Sequence, residues 1–366
     1  MKKILPIVAI LSIISCSPKN EDIETIILNY SGDKSVYQYD RIETISLTPL
    51  QTDDNCLIGE SPMIQITGDN LFIQHGSSQR IDRFNTHGAY LNQIGRIGRG
   101  PGEMNGAMSD WFLYDSNLIG VRFYGKKSFM LYDFAGDFVR DVSFDAPAFL
   151  AHGHESNFWL LMSSEAGSPR LISLSETGEK RKNLLLSEKT DIASAVLWWV
   201  FHQNNGKLYI GMPYNKAIYK AEQDTVALAF LIDAGKHDIP RDFYDDPYAA
   251  WEALNQKGYV TLYNFLESND YYVIQVDIRG EEREDFLWGI KHKQEKEWFW
   301  SKMEAFTSEA TEYPKAKLTE DNRLVLLIPP YVLKEQLPLM KNVANPQIVA
   351  SLNGEDNPVL VEIKLK

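Results

Sequence analysis

Residues 68–95 read GDNLFIQHGSSQRIDRFNTHGAYLNQIG. A polar turn of Gly, Asp and Asn opens onto an apolar run. A second short run comes next, from Ile81 to Phe84, and a turn centred on Gly88 leads to a third, Tyr90 to Ile94. Short runs joined by Gly- and Asn-bearing turns pair as antiparallel hairpins. The same opening recurs as DSNLIGVRF (115–123), SNFWLLM (156–162), NNGKLYI (204–210), NDYYVIQV (269–276) and DNRLVLLI (321–328), roughly 40–65 residues apart. After the opening, a strand, a tight polar turn and another strand recur as well. With one strand ahead of each Asn/Asp turn, the unit is a four-stranded meander, the form of a propeller blade. Six such units predict an all-β chain, a six-bladed β-propeller of four-stranded antiparallel blades. A pair of β-sandwiches would also show short strands and turns.

A ring of blades must close or leave unpaired edges. RIETISLTPL (41–50) and the terminal NPVLVEIKLK (357–366) both read as strands. An N-terminal strand paired into the last blade is therefore expected. Two stretches break the β rhythm. PRDFYDDPYAAWEALNQK (240–257) carries helix formers after Asp246-Pro247, a cap-and-first-turn pair. PPYVLKEQLPLMKNVAN (329–345) reads as a helix-bearing excursion in the last blade. Both are expected to be surface insertions between strands.

The chain has 366 residues, 44% of them hydrophobic, and a formal charge of −13. So acidic a chain has no general attraction for nucleic acid. Lys2 and Lys3 precede an apolar run, Ile4 to Ile14, that is too short to span a bilayer and reads as an export signal. It ends in Ser15-Cys16, which resembles a bacterial lipobox. That resemblance implies a signal peptide over 1–15 and lipid on Cys16. A polar tether over 16–35 and the propeller over 36–366 would come after it. Several acyl chains give durable anchoring. The basic-then-acidic run after Cys16 resembles a Bacteroidetes surface-export signal. Cys56 then has no disulfide partner and is expected as a small buried hydrophobe.

Residues 93–104, QIGRIGRGPGEM, raise the question of a phosphate loop. A Walker loop needs Gly-Lys-Ser/Thr before a helix, and a Rossmann loop needs its glycines between strand and helix. Gly95, Gly98, Gly100, Pro101, Gly102 and Glu103 have neither setting, since MSDWFLYD after them reads as a strand. The stretch is expected to be a crossing from the outer strand of one blade to the inner strand of the next, with Arg96, Arg99 and Glu103 tying it to neighbouring blades. His152 and His202 are expected at the ends of two innermost strands, with His154 close by; three imidazoles could bind a divalent metal. Tyr114 and Thr67 occupy comparable places in other blades, and no HExxH completes a metal site. Lys126 and Lys127, and Tyr214, Asn215 and Lys216, fall in equivalent second-to-third-strand turns and make a candidate binding rim. The tryptophans are expected mainly between blades.

Taken together, these residues resemble the six-bladed β-propeller lipoproteins of Bacteroidetes, which are similar to NHL-type propellers. Arg83-Phe84-Asn85 through the GPGE block, LTPLQTDDNCLIGE (47–60) and EDNPVLVEIKLK (355–366) carry the resemblance. It implies a fold and a compartment, the cell envelope of a Gram-negative bacterium and its outer membrane. The expected function is a binding module without catalysis, for a small ligand or an envelope protein, with no cofactor, no nucleic acid and a membrane link through Cys16. The alternative is a metal-dependent lyase or lactonase acting through His152 and His202.

Overall fold

The computed structural model describes residues 23–366 except 31–33, 60–61, 77–79, 116, 163–167, 186–199, 212–215, 240–256, 281–283 and 303–314. Six antiparallel sheets succeed one another along the chain. Blade I is β3 (Met63–Thr67), β4 (Asn70–Gln74), β5 (Ile81–Asn85) and β6 (Tyr90–Ile94). Blade II is β7 (Met108–Tyr114), β8 (Leu118–Phe123), β9 (Ser128–Asp133) and β10 (Phe138–Ser143). Blade III is β11 (Leu150–His154), β12 (Asn157–Leu161), β13 (Leu171–Ser175) and β14 (Lys180–Asn183). Blade IV is β15 (Phe201–Asn204), β16 (Lys207–Gly211), β17 (Ala217–Glu222) and β18 (Thr225–Asp233). Blade V is β19 (Lys257–Glu267), β20 (Tyr271–Gly280), β21 (Glu284–His292) and β22 (Phe299–Lys302). Each recurring Asn/Asp turn leads into the second strand of its blade, as expected.

Blade VI takes strands from both ends of the chain. β23 (Lys317–Leu318) and β24 (Arg323–Ile328) pair with β25 (Val359–Leu365), and β2 (Ile42–Pro49) completes the sheet from outside. β2 runs antiparallel to β25, from Ile42 opposite Leu365 to Pro49 opposite Val359. This is the expected closure, and it leaves no open edge where the ring begins and ends. Helix α1 (Pro330–Gln336), with Pro330 at its first turn, lies between β24 and β25 within 329–345. The helix expected in 240–257 falls almost wholly outside the described residues.

One expectation is corrected at the N-terminus. Residues 16–35 are not tether throughout. Instead Glu24–Ile27 form a fifth strand, β1, parallel to β18 on the outer edge of blade IV. Its residues ETII include β-branched Thr25 and two isoleucines, which suit a pleated edge. Ile26 is fully buried between blades IV and V.

The core is divided between the blades. Among the described residues, six buried apolar clusters match the six blade-to-blade interfaces, from blades I and II round to VI and I. Trp111, Trp159, Trp288 and Trp300 each sit in one of them. Trp198, Trp199 and Trp251 lie outside the described residues. The outer strands face water, and β14, KRKN, is exposed at every position, its charges discouraging edge pairing. Cys56 is fully buried, with its thiol 3.2 Å from the Gln51 carbonyl oxygen.

Candidate functional site: the central pocket

In each blade, strand 1 lines the axis. The innermost strands and the residues beside them surround one cavity of about 140 Å³. Its polar lining takes Gln65, Asp110, His152, His202, Asn264 and Lys317, one from each blade, with Lys315 beside the last. Gln65, His152 and His202 share a register, each two residues before its turn pair (Thr67 with Asn70, His154 with Asn157, Asn204 with Lys207). Strand alternation therefore turns all three toward the same side.

The cavity lies toward the starts of most of these strands, and the first-to-second-strand turns cross the other end. There the Asn204 side chain donates to the Glu267 carbonyl at 2.7 Å and accepts from the Leu318 N–H at 3.2 Å. Asn205, at φ 52°, donates to the same Glu267 carbonyl and to that of Leu318. One turn of blade IV thus ties blades V and VI across the axis.

Asp110 and Arg122 face each other across β7 and β8, both buried, with Arg122 Nε 2.6 Å from Asp110 Oδ2. Asp110 also accepts from Ser109 Oγ at 2.9 Å and from the Ala151 N–H at 3.3 Å. Arg122 spends its other donors on the carbonyls of Phe149 and Ala148 in blade III. Burial lifts the Asp110 carboxyl above its ordinary range, while Arg122 and the hydrogen bonds pull the other way.

The two histidines are buried and uncharged. His152 stacks on Phe201 at 5.3 Å, and its Nε2 is 3.1 Å from Gln203 Oε1. Burial holds its pKa well below the ordinary imidazole value, and His154 and Lys317 add to the shift. His202 is pushed down to about 3, chiefly by burial and next by Lys317, although Asn264 hydrogen-bonds its charged form. Lys317 is itself only partly exposed. Loss of solvation, with Lys315 as a like charge, lowers its ammonium to about 8.

Two of the three imidazoles in the metal expectation, His152 and His202, line one pocket. His154 does not line the pocket; its Nε2 lies 4.0 Å from the exposed Glu155 carboxylate. Among the described residues no three His, Cys, Asp or Glu side chains converge. Two lysines face the space a cation would enter, and the one carboxylate is engaged by Arg122. The described residues do not fit a resident divalent ion.

The other sequence-selected residues lie elsewhere. Lys126 and Lys127 are exposed in the β8–β9 turn, and Lys127 reaches Asp145 at 3.1 Å. Lys216 pairs with Asp238 at 2.5 Å. Cys16, Tyr214 and Asn215 are outside the described residues. In an antiparallel meander the second-to-third-strand turns share a face with the starts of the inner strands, so this rim and the pocket mouth belong to one face of the disc.

The glycine-rich loop runs from β6 to β7 on that same face. The Gly98 N–H donates to the Met104 carbonyl at 3.0 Å, and the Gly100 N–H donates to Glu103 Oε2 at 2.7 Å. Gly95 and Gly102 are at φ 65° and 72°. A Cβ on Gly102 would come within 2.6 Å of the Phe138 ring, and one on Gly95 within 2.6 Å of Met104. Glu103 is held inside the loop. Arg96 and Arg99 are exposed and form no ion pair among the described residues, contrary to the expected ties between blades.

A closed ring of six four- to five-stranded sheets around a polar axial pocket defines a six-bladed β-propeller. Residues 23–364 match the family model for a domain of unknown function, DUF4934, and the chain belongs to that family. No curated protein matches it. Its fold is similar to that of a presumed exported protein from Bacteroides fragilis, at 18% identity and a TM-score of 0.75, over 93% of this chain and 100% of that one. A member of the DUF4221 family from Bacteroides vulgatus is similar at 12% identity and a TM-score of 0.55, over 89% of this chain and 97% of the other. These likenesses extend to the fold alone. No helix among the described residues is long and apolar enough to cross a membrane.

The pocket was half visible in the sequence. The repeat located the second strands, so first-strand positions such as His152 and His202 could be selected. Lys315, Lys317 and Asn264 were missed. β23 is two residues long and shows no alternation.

Proposed function

We propose that this chain is an exported, lipid-anchored propeller that binds a small ligand in its axial pocket and does not catalyse its conversion. The convergence of one polar side chain from each of the six blades on a single cavity carries this reading. Catalysis by general acid and base needs two groups free to exchange protons near neutral pH. Here burial disfavours the charged histidines, Arg122 engages the carboxylate, and Lys317, lowered to about 8, has no described carboxylate to pair with as a second acid or base. Thermal unfolding of the purified protein against a panel of small metabolites tests the reading. At least one compound is expected to raise Tm, and Gln65→Trp, which fills the cavity, to cancel the rise. Turnover of a bound compound would sink the non-catalytic part. Binding that ignores Gln65→Trp would remove the pocket from the proposal.

The anchor rests on Lys2-Lys3, the eleven-residue apolar run Ile4 to Ile14 and Ser15-Cys16. Metabolic palmitate labelling lost in Cys16→Ser, together with release from the membrane fraction, is the expected result; a labelled variant contradicts it. An envelope-protein partner would meet the outer rim first, where Lys126, Lys127, Tyr214, Asn215 and Lys216 fall.

A further inference from the structure

We infer that the axial pocket takes a small oxyanion, a carboxylate or phosphate group, with Lys317 as its counter-charge and Lys315 beside it. The inference rests on the binding reading above and adds the chemistry of the ligand. Its basis is the set of groups that face the cavity from each blade. Blade I presents Gln65 and Gln74, and blade II presents Ser109 and Asp110, the latter held by Arg122. Blades III, IV and V present His152, His202 and Asn264, all uncharged near neutral pH. Blade VI presents Lys315 and Lys317. The Asp110–Arg122 pair cancels, so Lys317 is left in the described lining without a described counter-charge, inside a chain of net −13.

Several partly buried cations have a carboxylate partner. Arg80 has Asp82, Arg122 has Asp110, Lys291 has Glu24, and Lys293 has Glu267. Lys317 forms no ion pair with a described carboxylate. A lysine taken from water without a partner is unfavourable. An anion entering the cavity would supply the missing charge. A lysine is a point charge on a flexible stem and suits either oxyanion.

The test is titration calorimetry of the purified protein with succinate, with inorganic phosphate and with glucose as a neutral probe, on the native chain, Lys317→Met and Lys317→Arg. One or both anions are expected to bind, about tenfold or more weakly to Lys317→Met, with Lys317→Arg restoring much of the affinity. Which anion binds separates a carboxylate from a phosphate ligand. Lys317, lowered to about 8, loses charge just above neutral pH. Anion affinity is therefore expected to fall about tenfold from pH 7 to 9, with proton uptake on binding. Equal affinity in native and Lys317→Met protein overturns the inference, as does a flat pH profile. Glucose binding that Gln65→Trp abolishes, with neither anion binding, overturns the inference and leaves the binding reading standing. Failure of every probe in the metabolite panel as well would bring down both. Lys317→Met removes a charge that has no described counter-charge, so the variant is expected to fold, and a retained Tm verifies this.

Discussion

Asp110 and Lys317 face the same cavity and are treated in opposite ways. Asp110 is met by a guanidinium, a hydroxyl and a backbone N–H. Lys317 meets another lysine. The first arrangement is what a fold does with a charge it keeps for architecture, since Arg122 goes on to bind two carbonyls of the next blade. The second leaves a charge without a counter-charge among the described residues, the place the proposed ligand would fill. Within one pocket, the partners of a side chain distinguish structure from function better than its burial does.

The largest way to break this comparison is Arg122→Met. It strands a buried carboxylate and cuts the link between blades II and III. Urea unfolding at pH 7 is expected to show a loss of about 3–5 kcal/mol. Acidification comes next. His152 and His202 have folded pKa values below their unfolded ones, so the unfolded chain binds more protons and stability falls as pH drops. The loss begins near pH 6.5 and continues toward about 3 for His202, at about 1.4 kcal/mol per pH unit for each histidine at its steepest. Replacing His202 by Gln is expected to flatten that profile by one histidine's share.

Lys317→Met has the opposite sign. Its folded pKa, about 8, lies below the unfolded value, so Lys317 weakens the fold below about pH 8 and the penalty fades as pH rises toward the unfolded value. The variant without ligand should therefore gain about 1–2 kcal/mol at pH 7 and lose that advantage above pH 10. The smallest effect belongs to the rim. Lys127 and Asp145 are both exposed, and Lys127→Ala should change stability by less than about 0.5 kcal/mol. A large loss there would mean that the rim, too, is architectural.

Most of the ring could be read without a structure. Each second strand announces itself as an apolar run behind an Asn/Asp turn, because that turn needs those residues and the strand is packed on both faces. Closure was legible because the two terminal strands are long and clean. β1 was not. It is four residues within a polar stretch, and its pairing depends on the nine-residue β18, which no local pattern connects to it. The site was legible only in part. His152 and His202 stood out as residues, whereas Lys315 and Lys317, which share their cavity, did not. The Asp110–Arg122 pair is twelve residues apart in sequence and adjacent only through the β7–β8 register.

β1 has a mechanical consequence. It grips the outside of blade IV through its hydrogen-bonded register with β18, and reaches blade V through Trp300 Nε1 donating to the Ile27 carbonyl at 3.1 Å and through the Lys291–Glu24 ion pair. A pull on the N-terminus, such as a membrane tether would deliver, meets this strand before it reaches β2. Four residues can peel from the edge and leave every blade with its four strands and the ring still clasped. Under such a load β1 would serve as a shear pin, yielding before the clasp does.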